Sequence, residues 1–335
     1  MLVKGAVVLV ALAVAALEEA RAAGAPGGGL LLVANKGDHT LGIVDPATGR
    51  QVATVKQSGI TGHEVAASPD GKTAYVPIYG DSGVGRPGSD GRTMDVIDVA
   101  SRRRVATIDF GGPQRPHCAV FGPDGRLYVT AELTSSIRVV DPRTNTVVDS
   151  IPTGQPESHM LSLSRDGKRA WTSNVGAGTV SAIDVASKTV AAVIHVARQA
   201  QRIALSTDER WLFTADQDAP RLAVIDTRTN KLAPGVSLPG VAYGTAPTPD
   251  GRWLLVTLPG LNQLGVLDLK SMEVVRTLDV PKAPQEVLVR PDGLVVYVSC
   301  DASGQVAEID LAEWKVSRLI PAGPMVDGLA WAPQP

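Results

Sequence analysis

Gly62-His63-Glu64-Val65-Ala66-Ala67-Ser68-Pro69-Asp70-Gly71 is a short apolar run that carries one histidine and ends in a Pro-Asp-Gly turn. It recurs as Pro116-His117-Cys118-Ala119-Val120-Phe121-Gly122-Pro123-Asp124-Gly125 and as Ser158-His159-Met160-Leu161-Ser162-Leu163-Ser164-Arg165-Asp166-Gly167. Asp208, Asp250 and Asp292 close three further copies, and Ala332-Pro333-Gln334 is a degenerate seventh. The residue seven places before each closing position defines one register: His63, His117, His159, Gln201, Tyr243, Gln285 and Asp327. The first interval is 54 residues and the other five are 42. A period this regular belongs to a repeat fold.

Between register positions the same pattern returns. Leu30 to Asn35, Leu41 to Asp45 and Gln51 to Val55 are short runs rich in Val, Ile and Thr, separated by Gly, Pro and Asp. That is strand-and-turn spacing, and the chain after residue 29 offers no amphipathic helix. Asp45, Asp98, Asp141, Asp184, Asp226, Asp268 and Asp310 each end the third strand of a unit. Their carboxylates are expected to accept backbone N–H groups in the hairpin turn that follows, which makes them structural and not catalytic. Seven units of four strands predict an all-β, seven-bladed β-propeller with four-stranded antiparallel blades. The N-terminal unit starts at its second strand, and the C-terminus ends on a lone first strand, Met325 to Trp331. Pairing those two would close the ring and cover the edges an open array leaves exposed.

Composition limits the function. The formal net charge is -2 and the chain has no basic block beyond Arg102-Arg103-Arg104, which argues against nucleic acid as a partner. At the N-terminus, Lys4, the apolar run Gly5 to Leu17 and Ala20-Arg21-Ala22 read as a signal peptide over residues 1–22. A leader over 23–29 and a propeller over 30–335 would follow, with export to the periplasm or beyond and no membrane association after cleavage. Two cysteines, Cys118 and Cys300, provide no disulfide framework.

Leu127-Tyr128-Val129-Thr130, Thr179-Val180-Ser181-Ala182-Ile183-Asp184, Tyr297-Val298-Ser299, Val224-Ile225-Asp226 and Ser68-Pro69-Asp70-Gly71 together form a recognisable frame. It resembles the YVTN family of β-propellers, which is related to the lactonase-like and cytochrome-d1-like groups. The resemblance spans residues 30 to about 333. It implies a propeller whose inner strands run into the Asp-Gly turns and line a central channel, and it leaves activity open, because one fold hosts many functions.

With that geometry the register becomes a ring at one channel mouth. The chain has five histidines, and three of them, His63, His117 and His159, fall on neighbouring units of the ring. Neutral imidazoles suit a divalent transition metal such as Cu, Zn or Fe. A polar mouth holding water or a carboxylate, or metal-free acid–base chemistry, accounts for the same residues. His39 lies in a turn expected at the same mouth and is a candidate fourth ligand. Gln201 and Gln285 are candidate substrate-binding residues. Tyr243, Asp327 and Glu132 are candidate proton donors and acceptors. The additional 12 residues of the 54-residue interval fall in the Gly-rich stretch 80–92, a lid or a shaping loop over the pocket. There is no C-x-x-C-H for covalent haem. Two functions follow: an exported metal-dependent hydrolase, lyase or oxidase for a small molecule, or a non-catalytic propeller that holds a metal or a periplasmic protein.

Overall fold

A computed structural model describes residues 28–81 and 83–334. Residues 1–27, which hold the expected signal peptide and most of the leader, lie outside the described residues. Among the described residues, seven four-stranded antiparallel sheets account for the 28 strands. Blade 1 is shared between the two ends of the chain: Val326–Pro333 is its inner strand, followed outward by Gly29–Asn35, Thr40–Asp45 and Arg50–Lys56. Blades 2 to 7 then follow in sequence, with inner strands beginning near residues 66, 116, 158, 200, 245 and 284. The ring is therefore closed as the sequence indicated, Leu31 pairing with Trp331 and Leu32 with Ala330. Gly29, expected in the leader, already belongs to this strand. A Cβ there would stand 2.5 Å from the Trp331 indole, so the glycine permits the close approach.

Each hairpin corner behaves as its aspartate predicts. Asp45 accepts the N–H of Ala47 at 2.9 Å, Asp184 that of Ser187 at 2.8 Å, and Asp310 that of Ala312 at 2.8 Å. The core lies between blades, built from buried Val, Leu, Ile and Ala on facing sheets. Among the described residues, no helix is long and apolar enough to cross a membrane.

One local feature sets where the side chains of the inner strands point. Their pairing with the second strand skips at Pro116/Ala119, Ser158/Met160, Ala200/Ile203 and Pro284/Val287. In blade 1 the skip falls opposite Asp327 and Gly328. In blade 2, residues 63–65 precede the paired strand altogether. These irregularities coincide with the register positions. A bulge frees two successive residues from strict alternation, so a register residue and its successor both turn inward.

Candidate functional site

The register assembles as a ring, and its first three members are in contact. The His117 and His159 rings stack with centroids 3.6 Å apart, and the His63 ring meets His117 edge-on at 5.5 Å. His117 and His159 are buried, each 2% exposed, while His63 is half-buried. Tyr79, on the second strand of blade 2, stacks against His63 at 4.8 Å and is fully buried. Its hydroxyl donates to Oε2 of Glu132 in blade 3. Oε1 of Glu132 faces Nδ1 of His159 at 3.8 Å. On the other side of that imidazole, Nε2 is 3.4 Å from the Gln201 amide. A line of polar groups thus runs from a buried carboxylate through His159 to the mouth.

Glu132 owes its position to a short turn. Glu132–Thr134 forms one 3-10 turn after the strand Leu127–Ala131, which folds the carboxylate inward instead of into solvent. At 2% exposure it is not a solvated loop residue. Tyr79 was not evident from the sequence: it lies on a second strand, outside the register. His39 was, but it does not join the group. It occupies a left-handed turn (φ 58°), half-buried, without contact to the other three histidines.

The remaining ring members surround a buried arginine. Arg202, which follows Gln201 at the bulge of blade 5, reaches five other blades. Its Nη1 is 2.7 Å from Glu64 in blade 2 and 2.5 Å from Glu286 in blade 7. Nη2 is 3.3 Å from Asp327 in blade 1. The guanidinium carbon lies 4.9 Å from the Tyr243 ring centre in blade 6, and Nη1 lies 3.7 Å from the Met160 sulfur in blade 4. Only a side chain on the axis can reach so many blades, so Arg202 plugs the channel beneath the ring. Lys36 adds a second cation, 3.0 Å from Asp327 and 3.5 Å from Asp301.

Sequence reasoning missed Glu64, Arg202 and Glu286 because strict alternation turns the residue after each register position away from the channel. The available signal was chemical: charged residues inside otherwise apolar inner strands are rarely buried without partners.

Burial pushes the Glu64 carboxyl up to about 8, with Glu286 and Asp327 adding repulsion and Arg202 opposing it. Glu286 is raised for the same first reason. Burial also works to raise Asp327, but Lys36, Arg202 and His63 outweigh it and hold that carboxyl below its usual range. His63 is pushed down to about 4, chiefly by burial, and His117 lies well below the ordinary imidazole value for the same reason. Both are neutral at physiological pH. Asp327 and Tyr243 thus stand as ionic partner and aromatic support to Arg202, while Gln201 and Gln285 remain half-buried at the mouth.

The histidines do not fit a metal as they are packed. A ligand imidazole bonds through a lone pair in its ring plane at about 2 Å. The His117 and His159 planes are inclined by only 29° at a 3.6 Å stack, and such planes do not meet within bonding reach of both rings. Among the described residues, no group of three or more His, Cys, Asp or Glu side chains is arranged to hold a metal ion.

The stretch 80–92 is tied down at several points. Arg115 in blade 3 donates to Asp90 at 2.6 Å and to the carbonyls of Arg86 at 2.6 Å and Gly83 at 3.4 Å. The same guanidinium lies 5.6 Å from the Tyr79 ring centre, so the loop and the histidine cluster share one strut.

This architecture is that of a seven-bladed β-propeller. Over 159 residues the chain is 32% identical to the seven-bladed beta-propeller protein Rv1057 of Mycobacterium tuberculosis, a match covering 46% of this chain and 36% of that protein. Hydrazine synthase of Kuenenia stuttgartiensis superposes with a TM-score of 0.74 at 22% identity, covering 86% of this chain and 94% of that one. The periplasmic gluconolactonase PpgL of Pseudomonas aeruginosa gives 0.74 at 18% identity, covering 92% and 99%. Likeness at these identities is likeness of fold. No family model matches the chain.

Proposed function

We propose that the mouth is an acid–base site for a small, polar, uncharged molecule, and that His159 is its proton acceptor. The observation that carries this reading is Glu132 behind Nδ1 of His159, with Nε2 beside the amide of half-buried Gln201. At 3.8 Å the carboxylate stands just beyond hydrogen-bond distance of Nδ1, so a small closing movement on substrate binding would let it accept that proton and leave Nε2 as the basic atom. Tyr79 holds the carboxylate, His63 lines the approach, and Gln201 and Gln285 offer amides to a hydroxyl or carbonyl. Lys36 and Arg202 are already paired with carboxylates, which is why the substrate is assigned no charge. Hydrolysis or lyase chemistry suits such a site. The likeness to a periplasmic gluconolactonase makes lactones the first substrates to try, and supports an exported, periplasmic protein.

Turnover of a lactone and ester panel tests this, comparing the natural protein with His159→Ala and Glu132→Gln. Both variants are expected to lose activity, Glu132→Gln by about a hundredfold. Full activity in His159→Ala, or no turnover and no binding of any panel member by the natural protein, would sink the proposal.

A metal-dependent version has one observation in its favour. Nδ1 of both His117 and His159 is buried without a hydrogen-bond partner. Binding Cu, Zn or Fe would require one ring to rotate out of the stack. Elemental analysis of the purified protein beside the His63→Ala/His117→Ala/His159→Ala variant decides it: a near-stoichiometric metal lost in the variant supports this version.

A further inference from the structure

Among the described residues, seven arginine guanidiniums lie over aromatic rings. Five of them have a second partner. Arg115 pairs with Asp90, Arg202 with its three carboxylates, Arg210 with Asp226 and Arg290 with Asp292, while Arg169 donates to the carbonyl of Thr227. Arg252 and Arg276 differ. Arg252 lies 4.2 Å from the Trp253 ring centre and Arg276 lies 5.6 Å from that of Trp314. Among the described residues, neither guanidinium has a carboxylate within ion-pair distance.

These two arginines flank the same groove. It has a volume of about 570 Å³ and opens between blades 6 and 7. Trp253 and Trp314 meet edge-to-face in its wall, their ring centres 5.7 Å apart. Leu294 and Val275, 55% and 54% exposed, supply apolar surface. Two aspartates on the rim are already engaged. Asp250 accepts from the Thr248 hydroxyl and the Arg252 amide, and Asp292 is bound by Arg290. The groove lies by the Asp250 and Asp292 turns, at the far end of the inner strands from Tyr243 and Gln285. Seven residues of strand, about 20 Å, separate the two. It is therefore independent of the histidine site.

We propose that this groove is a second binding site, for a small organic anion with an aromatic body. A guanidinium resting on an indole face keeps its in-plane N–H donors free, and their fork matches a carboxylate or phosphate. Two such forks flank an apolar, aromatic wall. An aromatic acid would place its ring against Trp314 and Leu294 and its charged group between the arginines.

The test uses the protein with one fluorescent probe and two competitors. Titration with 8-anilinonaphthalene-1-sulfonate, an aromatic anion that fluoresces when bound, gives the affinity; phenyl phosphate and benzyl alcohol then compete as charged and neutral ligands. Arg252 and Arg276 are exposed, so Arg252→Ala/Arg276→Ala is expected to fold, and Arg228→Ala, an exposed arginine elsewhere, is the control. The expected result is at least about tenfold weaker binding in the double variant only, with displacement by phenyl phosphate and not by benzyl alcohol. Unchanged affinity in the double variant, equal competition by benzyl alcohol, or no binding by the natural protein would overturn the assignment. Trp314→Ala separates stacking from charge: it must weaken the dye and phenyl phosphate while leaving any binding of inorganic phosphate intact.

Discussion

Glu64 Oε1 lies 2.7 Å from Nη1 of Arg202, although the two residues come from the second and fifth blades. The same nitrogen is 2.5 Å from Glu286 of the seventh. One side chain on the axis thus ties together strands that no backbone ladder connects. Burying two carboxyl groups against one guanidinium nitrogen is acceptable only while the cation remains, because without it the charge it balances is left buried and unpaired.

Replacing the cation is the direct test. Arg202→Met keeps the length and removes the charge, leaving Glu64, Glu286 and Asp327 buried around an apolar chain. The expected loss is about 3–5 kcal/mol in urea unfolding, the usual cost of breaking a buried pair from one side. Adding Glu64→Gln and Glu286→Gln to that variant is expected to restore much of it. A loss below about 1 kcal/mol in Arg202→Met would show a surface-like pair and not an axial one.

The pH dependence of stability follows from Glu64. Its carboxyl rises from 4.5 to about 8 in the folded protein, so the folded state holds a proton that the unfolded chain releases. That contribution is complete below 4.5 and is lost as the pH rises through 8. Glu64→Gln mimics the protonated form, so its stability relative to the natural protein is expected to grow between about pH 5 and pH 8. A constant difference across that window would remove the proton from Glu64.

His63 works in the opposite direction. Its imidazole falls from 6.5 to about 4, mainly through burial, so the unfolded chain takes up a proton first. Stability from this source is present above 6.5 and declines as the pH falls toward 4. His63→Gln is expected to flatten the acid limb of a melting-temperature profile over that range while leaving the limb above pH 7 unchanged. An unaltered acid limb would locate the sensitivity elsewhere, with buried His117 the next residue to replace.

How far these groups were legible depends on what each rests on. The repeat, the closure of the ring and the hairpin aspartates follow from local pattern, because turn chemistry and strand period act over a few residues. The common register of His63, His117 and His159 on neighbouring inner strands was also legible, but whether their rings converge or splay was not, because that depends on side-chain direction at the irregular start of each strand. Glu64, Arg202 and Glu286 were hidden by the alternation rule, which a bulge suspends without any fixed residue signature. Tyr79 was hidden for another reason: its partner Glu132 belongs to a different blade, and nothing in the order of the chain shows how a short turn re-aims a carboxylate. The Gly-rich stretch 80–92 reads as loose by composition, but the arginine that fastens it comes from the next blade.

That fastening yields the last prediction. Arg115 adopts a left-handed backbone conformation (φ 50°) and is only 4% exposed. Its guanidinium holds Asp90 and two carbonyls of the loop, and it also flanks Tyr79. Arg115→Ala would release the loop from one side and leave the Tyr79 ring uncovered, while the blade cores are untouched. Hydrogen exchange of amides 83–91 is expected to accelerate by about tenfold or more, with the strands Leu127–Ala131 and Ser158–Leu163 unchanged, since exchange reports local opening. Arg115→Lys should restore only part of the protection, because a single ammonium cannot reproduce a fork that reaches both the carboxylate and the carbonyls. If the loop exchanges equally in all three proteins, Arg115 does not govern it, and the loop's own contact between Asp81 and Ser89 becomes the one to break next.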